Sequence, residues 1–290
     1  MSIRSKIIAI TGGSQGLGKA MARALCSEGA RVAIIGRDAK KLLQVSRDIT
    51  GDISTFPCDI GDPKAVQETF NAINTELGGL DVLINNAAIY PPFKLENGSD
   101  DQIRSVIETN ILGTLYPCRE AIPLLKKSRG DIINISSEAV SLFPPLLSVY
   151  AASKAAVETL SKSLRLELAQ QGIRVATLRV GHMKRIDQSA LDPEIMAEML
   201  KAFEESGFAA QTGEGMEEST VVNTLMQMLK LPAEVEVLNE EVERMRSLNR
   251  TQQRELERAR GTVQQLELEM VEVRYRLGDE GVDADSVLAQ

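Results

Sequence analysis

With 290 residues, 43% of them hydrophobic, the chain can bury one large core and carry a modest appendage, which excludes two full catalytic domains. A formal net charge of −8 leaves no basic surface for phosphate backbones, so neither nucleic acid nor an anionic membrane is expected as a partner. Cys26, Cys58 and Cys118 are odd in number and match no zinc spacing, so reduced thiols are expected and no metal site.

The chain begins with an apolar run too short for a signal-peptide core or a membrane span, so a soluble cytoplasmic protein without a stable membrane anchor is expected. From there β-branched runs alternate with segments of helical period. Lys6–Ile10, Arg31–Ile35, Asp81–Ile84, Asp131–Ser136 and Arg174–Leu178 read as strands, and Ser54–Asp59 as a weaker one. Gly18–Glu28, Pro63–Leu77, Ser99–Lys127 and Tyr150–Gln171 carry apolar residues three and four apart, as helices covering a sheet do. The fold class is therefore α/β: a Rossmann-like, doubly wound parallel sheet with helices on both faces, plus a C-terminal helical extension. Residues 181–215 lose this regularity and read as a segment that closes over a substrate. A helix Glu217–Lys230 and a last strand at Val235 and Val237 complete the domain, set at residues 1–244.

Residues 231–290 differ in kind. They hold no lysine, and 14 acids against 8 arginines give −6. Val242, Asn249, Leu256, Val263, Met270 and Leu277 fall on one heptad position, with Leu238, Met245, Gln252, Ala259, Leu266 and Val273 on the other. Glu241/Arg246, Glu255/Arg260 and Glu269/Arg274 are placed to pair across a parallel dimer. Residues 245–290 therefore read as a coiled coil with a frayed end, in a homo-oligomer. The competing reading is one amphipathic helix laid on its own domain.

After the first strand stands Thr11-Gly12-Gly13-Ser14-Gln15-Gly16-Leu17-Gly18. Glycines at a strand-to-helix crossover let backbone amides approach a pyrophosphate where the helix dipole favours negative charge. The candidate cofactor contacts here are Gly12, Ser14, Gln15, Gly16, Leu17 and Gly18. The second strand ends in Gly36-Arg37, with no acid in place to receive ribose hydroxyls or repel a 2′-phosphate. Arg37 can neutralise that phosphate, so NADP(H) is favoured over NAD(H), although Asp38 follows directly.

Tyr150 and Lys154 lie four apart at a predicted helix start, so both fall on one face. A neighbouring ammonium stabilises a phenolate and is expected to bring the phenol pKa down from about 10. Ser137, just past its strand, lies at the sheet edge where open α/β sheets bind ligands.

These pieces, with Cys58-Asp59-Ile60, Asn85-Asn86-Ala87-Ala88, Glu108-Thr109-Asn110 and Asn134-Ile135-Ser136-Ser137, resemble the short-chain dehydrogenase/reductase family over about residues 1–245. The resemblance implies hydride transfer between nicotinamide C4 and the carbon of a small carbonyl or alcohol substrate. It implies Tyr150 as proton carrier, Lys154 lowering its pKa and holding the nicotinamide ribose, Ser137 orienting the carbonyl, and Asn110 completing a water-linked proton path through Lys154. It places Asp59 at the adenine and Asn86 and Ala87 at the border of the cofactor, with Gly181 and Met183 beyond the sixth strand completing the set. Dimers or tetramers are usual in the family.

Ala88 replaces the family's usual glycine, and Val180-Gly181 with Arg185 replaces its usual Pro-Gly and threonine. Arg185 reads either as a surface charge or as a partner for a phosphate or an acidic substrate. The competing function is a scaffold that keeps the nucleotide fold and recruits a partner through the coil. Substrate identity is left open between sugars, steroids, acyl ketones and sphingoid-type ketones.

Overall fold

The computed structural model describes residues 2–183, 193–205 and 215–231. Of the two units into which the chain divides, the described one ends at Leu231. The expected last strand at Val235 and Val237, the heptads and Arg185 lie outside the described residues.

Six strands make one parallel sheet: β1 Ile7–Thr11, β2 Arg31–Gly36, β3 Asp52–Pro57, β4 Val82–Asn85, β5 Asp131–Ser137 and β6 Arg174–Val180, in the order β3-β2-β1-β4-β5-β6. The helices are α1 Gly16–Ser27, α2 Ala39–Asp48, α3 Pro63–Leu77, α4 Asp100–Ile107, α5 Gly113–Ser128, α6 Ala139–Leu142, α7 Ser148–Leu168, α8 Pro193–Glu205 and α9 Glu218–Lys230. The strands are apolar on both sides because both faces are covered. Ile8, Ile10 and Ile34 point to one core with Met21, Leu25, Val45 and Leu225. Ala9, Ala33 and Leu83 point to the other with Phe70, Ile73, Cys118 and Leu125. All three cysteines are buried and free. Among the described residues no helix is long and apolar enough to cross a membrane.

The structure corrects several boundaries. β3 lies two residues earlier than expected, because Asp52–Pro57 pairs residue for residue with Arg31–Gly36, which leaves Asp59 in a loop. β5 runs on through Ser137, which pairs with Val180. The single helix expected over Ser99–Lys127 is two helices joined by a π-helical turn, Glu108–Leu112. A capping box at Ser99 and Gln102 starts the first of them. Helix α2, capped by Asp38, is an addition.

Candidate active site

The strand order reverses between β1 and β4, and an open α/β sheet binds ligands at the carboxyl ends of the strands flanking such a switch. Thr11 locks that edge together. Its buried hydroxyl accepts from the backbone N–H groups of Asn86 (3.0 Å) and Ala87 (3.1 Å), and the Asn86 amide donates to the carbonyls of Thr11 (3.0 Å) and Gly12 (3.4 Å).

The glycines fit a dinucleotide phosphate. A Cβ on Gly18 would lie 2.2 Å from the Gly12 carbonyl oxygen, and one on Gly12 would lie 2.9 Å from Ala87 Cα, so the loop packs closer than any side chain allows. Gly16, at φ +48°, faces open space, with nothing within 4 Å. Helix α1 begins there with no side-chain cap from Gln15 and no acid in its first turn, leaving its N–H groups to an anion. Leu17 packs on the core, and Ser14 Oγ stands 3.6 Å from where a Gly36 Cβ would be. Arg37 is exposed beside it, and Asp38 is committed to α2, accepting from Lys40 N and Lys41 N at 3.0 Å each. Asp59 is exposed and accepts from Gly61 N at 2.9 Å.

At the neighbouring strand ends, Ser137 Oγ is engaged by Ala139 N (3.2 Å), and the Ser137 hydroxyl stands near enough to the Tyr150 phenol to favour its charged form. Lys154 is 4% exposed. Its Nζ lies 6.0 Å from the Tyr150 ring centroid and donates to the Ile135 carbonyl at 2.8 Å. Burial brings the Lys154 pKa down to about 8. The Tyr150 phenol is held above its ordinary value, first by burial and then by Tyr90, while the Ser137 hydroxyl pulls the other way. This corrects the electrostatic expectation: the ammonium is turned to a backbone carbonyl and does not depress the phenol.

Asn110 is buried in the π turn. Its Oδ1 accepts from Ile89 N (2.9 Å), and its Nδ2 donates to Ile89 O (2.9 Å) and Ser153 Oγ (3.0 Å). Its side chain braces the segment after β4, and no hydrogen bond joins it to Lys154 among the described residues.

The sequence profile of the short chain dehydrogenases matches residues 6–191. The chain belongs to that family. An uncharacterized oxidoreductase of Staphylococcus aureus is 34% identical over 206 residues, covering 68% of this chain and 89% of that relative. The mouse L-fucose dehydrogenase is 34% identical over 179 residues, covering 61% of this chain and 65% of that enzyme. A 3-ketoacyl-(acyl-carrier-protein) reductase of Brucella melitensis, solved with NADH, superposes with a TM-score of 0.67 at 24% identity, over 79% of this chain and 92% of that one. This short-chain dehydrogenase is thus an oxidoreductase of a family that binds a nicotinamide dinucleotide and acts on small molecules.

Beyond β6, Gly181 is close-packed: a Cβ there would meet Glu138 Oε2 at 2.9 Å and Met216 Cε at 3.0 Å. Met183 bridges to Met216, whose N–H donates to the His182 carbonyl at 2.9 Å. Several groups escaped the sequence reading. Glu158, one turn past Lys154 on α7, takes a hydrogen bond from Ser136 (2.7 Å) and a two-pronged one from Arg179 (2.9 and 2.7 Å). Burial raises the Glu158 pKa, but those bonds and the Arg179 charge leave it below its ordinary value. Arg179 also donates to Ser141 Oγ at 2.9 Å, tying α6 to β6. A polar side chain recurring on an otherwise apolar strand was the available signal for Ser136 and Arg179. Thr11, ending a run of isoleucines, carried the same signal.

Proposed function

We propose that this short-chain dehydrogenase interconverts a carbonyl and an alcohol by NADP(H)-linked hydride transfer, with Tyr150 as the proton carrier. One observation carries the reading: Tyr150, Ser137 and the buried Lys154 converge at the sheet edge that also holds the glycine cradle. When bound, the nicotinamide supplies or removes the hydride. A phenol held above its ordinary pKa keeps its proton at neutral pH, as a donor to a carbonyl oxygen must. Ser137, whose hydroxyl neighbours that phenol, would hold the same oxygen. In reduction the Tyr150 proton passes to the oxygen while a hydride reaches the carbon, and the Ser137 hydroxyl is the group that favours the charge of the tyrosinate left behind.

Preference for NADP(H) is supported by Arg37 and Ser14 flanking Gly36, and by Asp38 spending its carboxylate on the α2 cap. Gly12, Gly16 and Gly18 would hold the pyrophosphate, with Asn86, Ala87, Gly181 and Met183 bordering the nicotinamide end and Asp59 the adenine.

The deciding experiment screens ketones and alcohols with NADPH or NADP+ against Tyr150→Phe. The variant should bind dinucleotide as the wild type does and turn over nothing; unchanged turnover would remove Tyr150 from the mechanism. Dinucleotide binding by a wild type that turns over no substrate would favour the scaffold.

A further inference from the structure

We infer that Tyr90 is a further residue of the substrate site, whose ring, set against Tyr150, selects a substrate carrying a flat apolar group, aromatic or conjugated, beside the reacting carbon. This rests on Tyr150 being the proton carrier. The two rings lie 5.8 Å apart between centroids at an interplanar angle of 58°, the tilted arrangement aromatic pairs prefer. Tyr150 is largely enclosed, yet Tyr90 is 49% exposed, so the pair presents an aromatic surface at the mouth of the site. A planar group stacked there would bury apolar area next to the phenol that hands over the proton.

The wall is fixed before any ligand arrives. Asn110 holds both backbone groups of Ile89, and Pro91-Pro92 restricts the chain immediately after Tyr90. Phe93 N then donates to the Leu146 carbonyl at 2.9 Å, fastening this segment to the loop after α6. In that loop Phe143 (φ 51°) and Leu146 (φ 65°) occupy the left-handed region without being glycine, and Phe143 is 74% exposed. Left-handed backbone at bulky residues persists only where surroundings impose it, and such residues cluster at ligand sites. Leu142, 40% exposed at the end of α6, adds apolar surface next to that loop.

The test compares wild type, Tyr90→Phe and Tyr90→Ala in NADPH-driven reduction of acetophenone and of 2-butanone. Tyr90→Ala should lose about tenfold in kcat/KM on acetophenone and less than about twofold on 2-butanone, with Tyr90→Phe restoring the aryl ketone. The alkaline limb of the kcat/KM profile should move to lower pH in Tyr90→Ala, because opening the wall hydrates Tyr150; a residue that only packs would move it too, but would cost both ketones alike. Equal losses on both ketones, or none on either, would overturn the assignment, and so would a wild type that reduces 2-butanone but not acetophenone. A wild type that reduces nothing in the wider panel defeats the Tyr150 reading instead. The wall is then decided by calorimetric binding of acetophenone to the NADP+-loaded protein: weaker binding in Tyr90→Ala upholds it, and equal binding overturns it.

Discussion

Asn110 grips Ile89 by both of its backbone groups, accepting from the N–H and donating to the carbonyl, each at 2.9 Å. The same amide reaches Ser153, so one side chain in the π turn ties the segment carrying Tyr90 to the helix carrying Tyr150 and Lys154. Asn110→Ala removes a side chain only 1% exposed and strands both backbone groups of the half-buried Ile89. The expected loss is about 3 kcal/mol, read as a lower urea midpoint at unchanged slope. A loss under about 1 kcal/mol would mean that water or another group satisfies Ile89.

Lys154 links stability to pH in a direction that follows from its burial. Its pKa is about 8 in the folded protein against 10.5 for a free lysine, so between those values the unfolded chain holds a proton that the folded one has released. Stability from this group therefore rises with pH across that window and is flat below it. Measured against Lys154→Met, the wild type should gain on the order of 3 kcal/mol between the two limits. Tyr150, shifted upward, acts in the opposite sense at higher pH, but both proteins contain it and it largely cancels in the difference. A flat difference curve would show that the ammonium is hydrated in solution.

Arg37 should set cofactor choice. It is exposed and follows Gly36 beside Ser14, while the one adjacent acid is tied to Lys40 and Lys41. Arg37→Ala should weaken NADPH binding by about ten- to a hundredfold and leave NADH nearly unchanged. Raising the salt should shrink the wild-type preference. Equal weakening of both cofactors would assign Arg37 to the fold of the loop rather than to a phosphate.

Much of this was legible in the sequence because it rests on short-range spacing. The four-residue interval from Tyr150 to Lys154, the glycines after an isoleucine-rich strand and the β-branched runs each announce local geometry. The direction of the Tyr150 shift was not legible. It depends on where the Lys154 ammonium goes, and the structure sends it to Ile135, 19 residues away. Thr11 meeting Asn86 across 75 residues and Asn110 meeting Ile89 across 21 are equally products of the fold. Helix α2 escaped because only Leu42 and Val45 of its ten residues are buried, too few to show a helical period.

The loop glycines separate stability from binding. At Gly18 a new Cβ would press on the Gly12 carbonyl at 2.2 Å and on Asn86 Nδ2 at 2.8 Å, so Gly18→Ala must push apart the β1 and β4 ends. It should cost several kcal/mol, of the order that overpacking reaches, and lose dinucleotide binding along with stability. Gly16 has a left-handed backbone but nothing within 4 Å, so alanine there meets only conformational strain of about 1–2 kcal/mol. If the open side of Gly16 is where the pyrophosphate sits, Gly16→Ala should weaken dinucleotide binding by well over that strain while the apoprotein melts only slightly earlier. Thermal melting with and without NADPH distinguishes the two variants. A Gly16→Ala protein stabilised by NADPH as much as wild type would move the phosphate away from this turn.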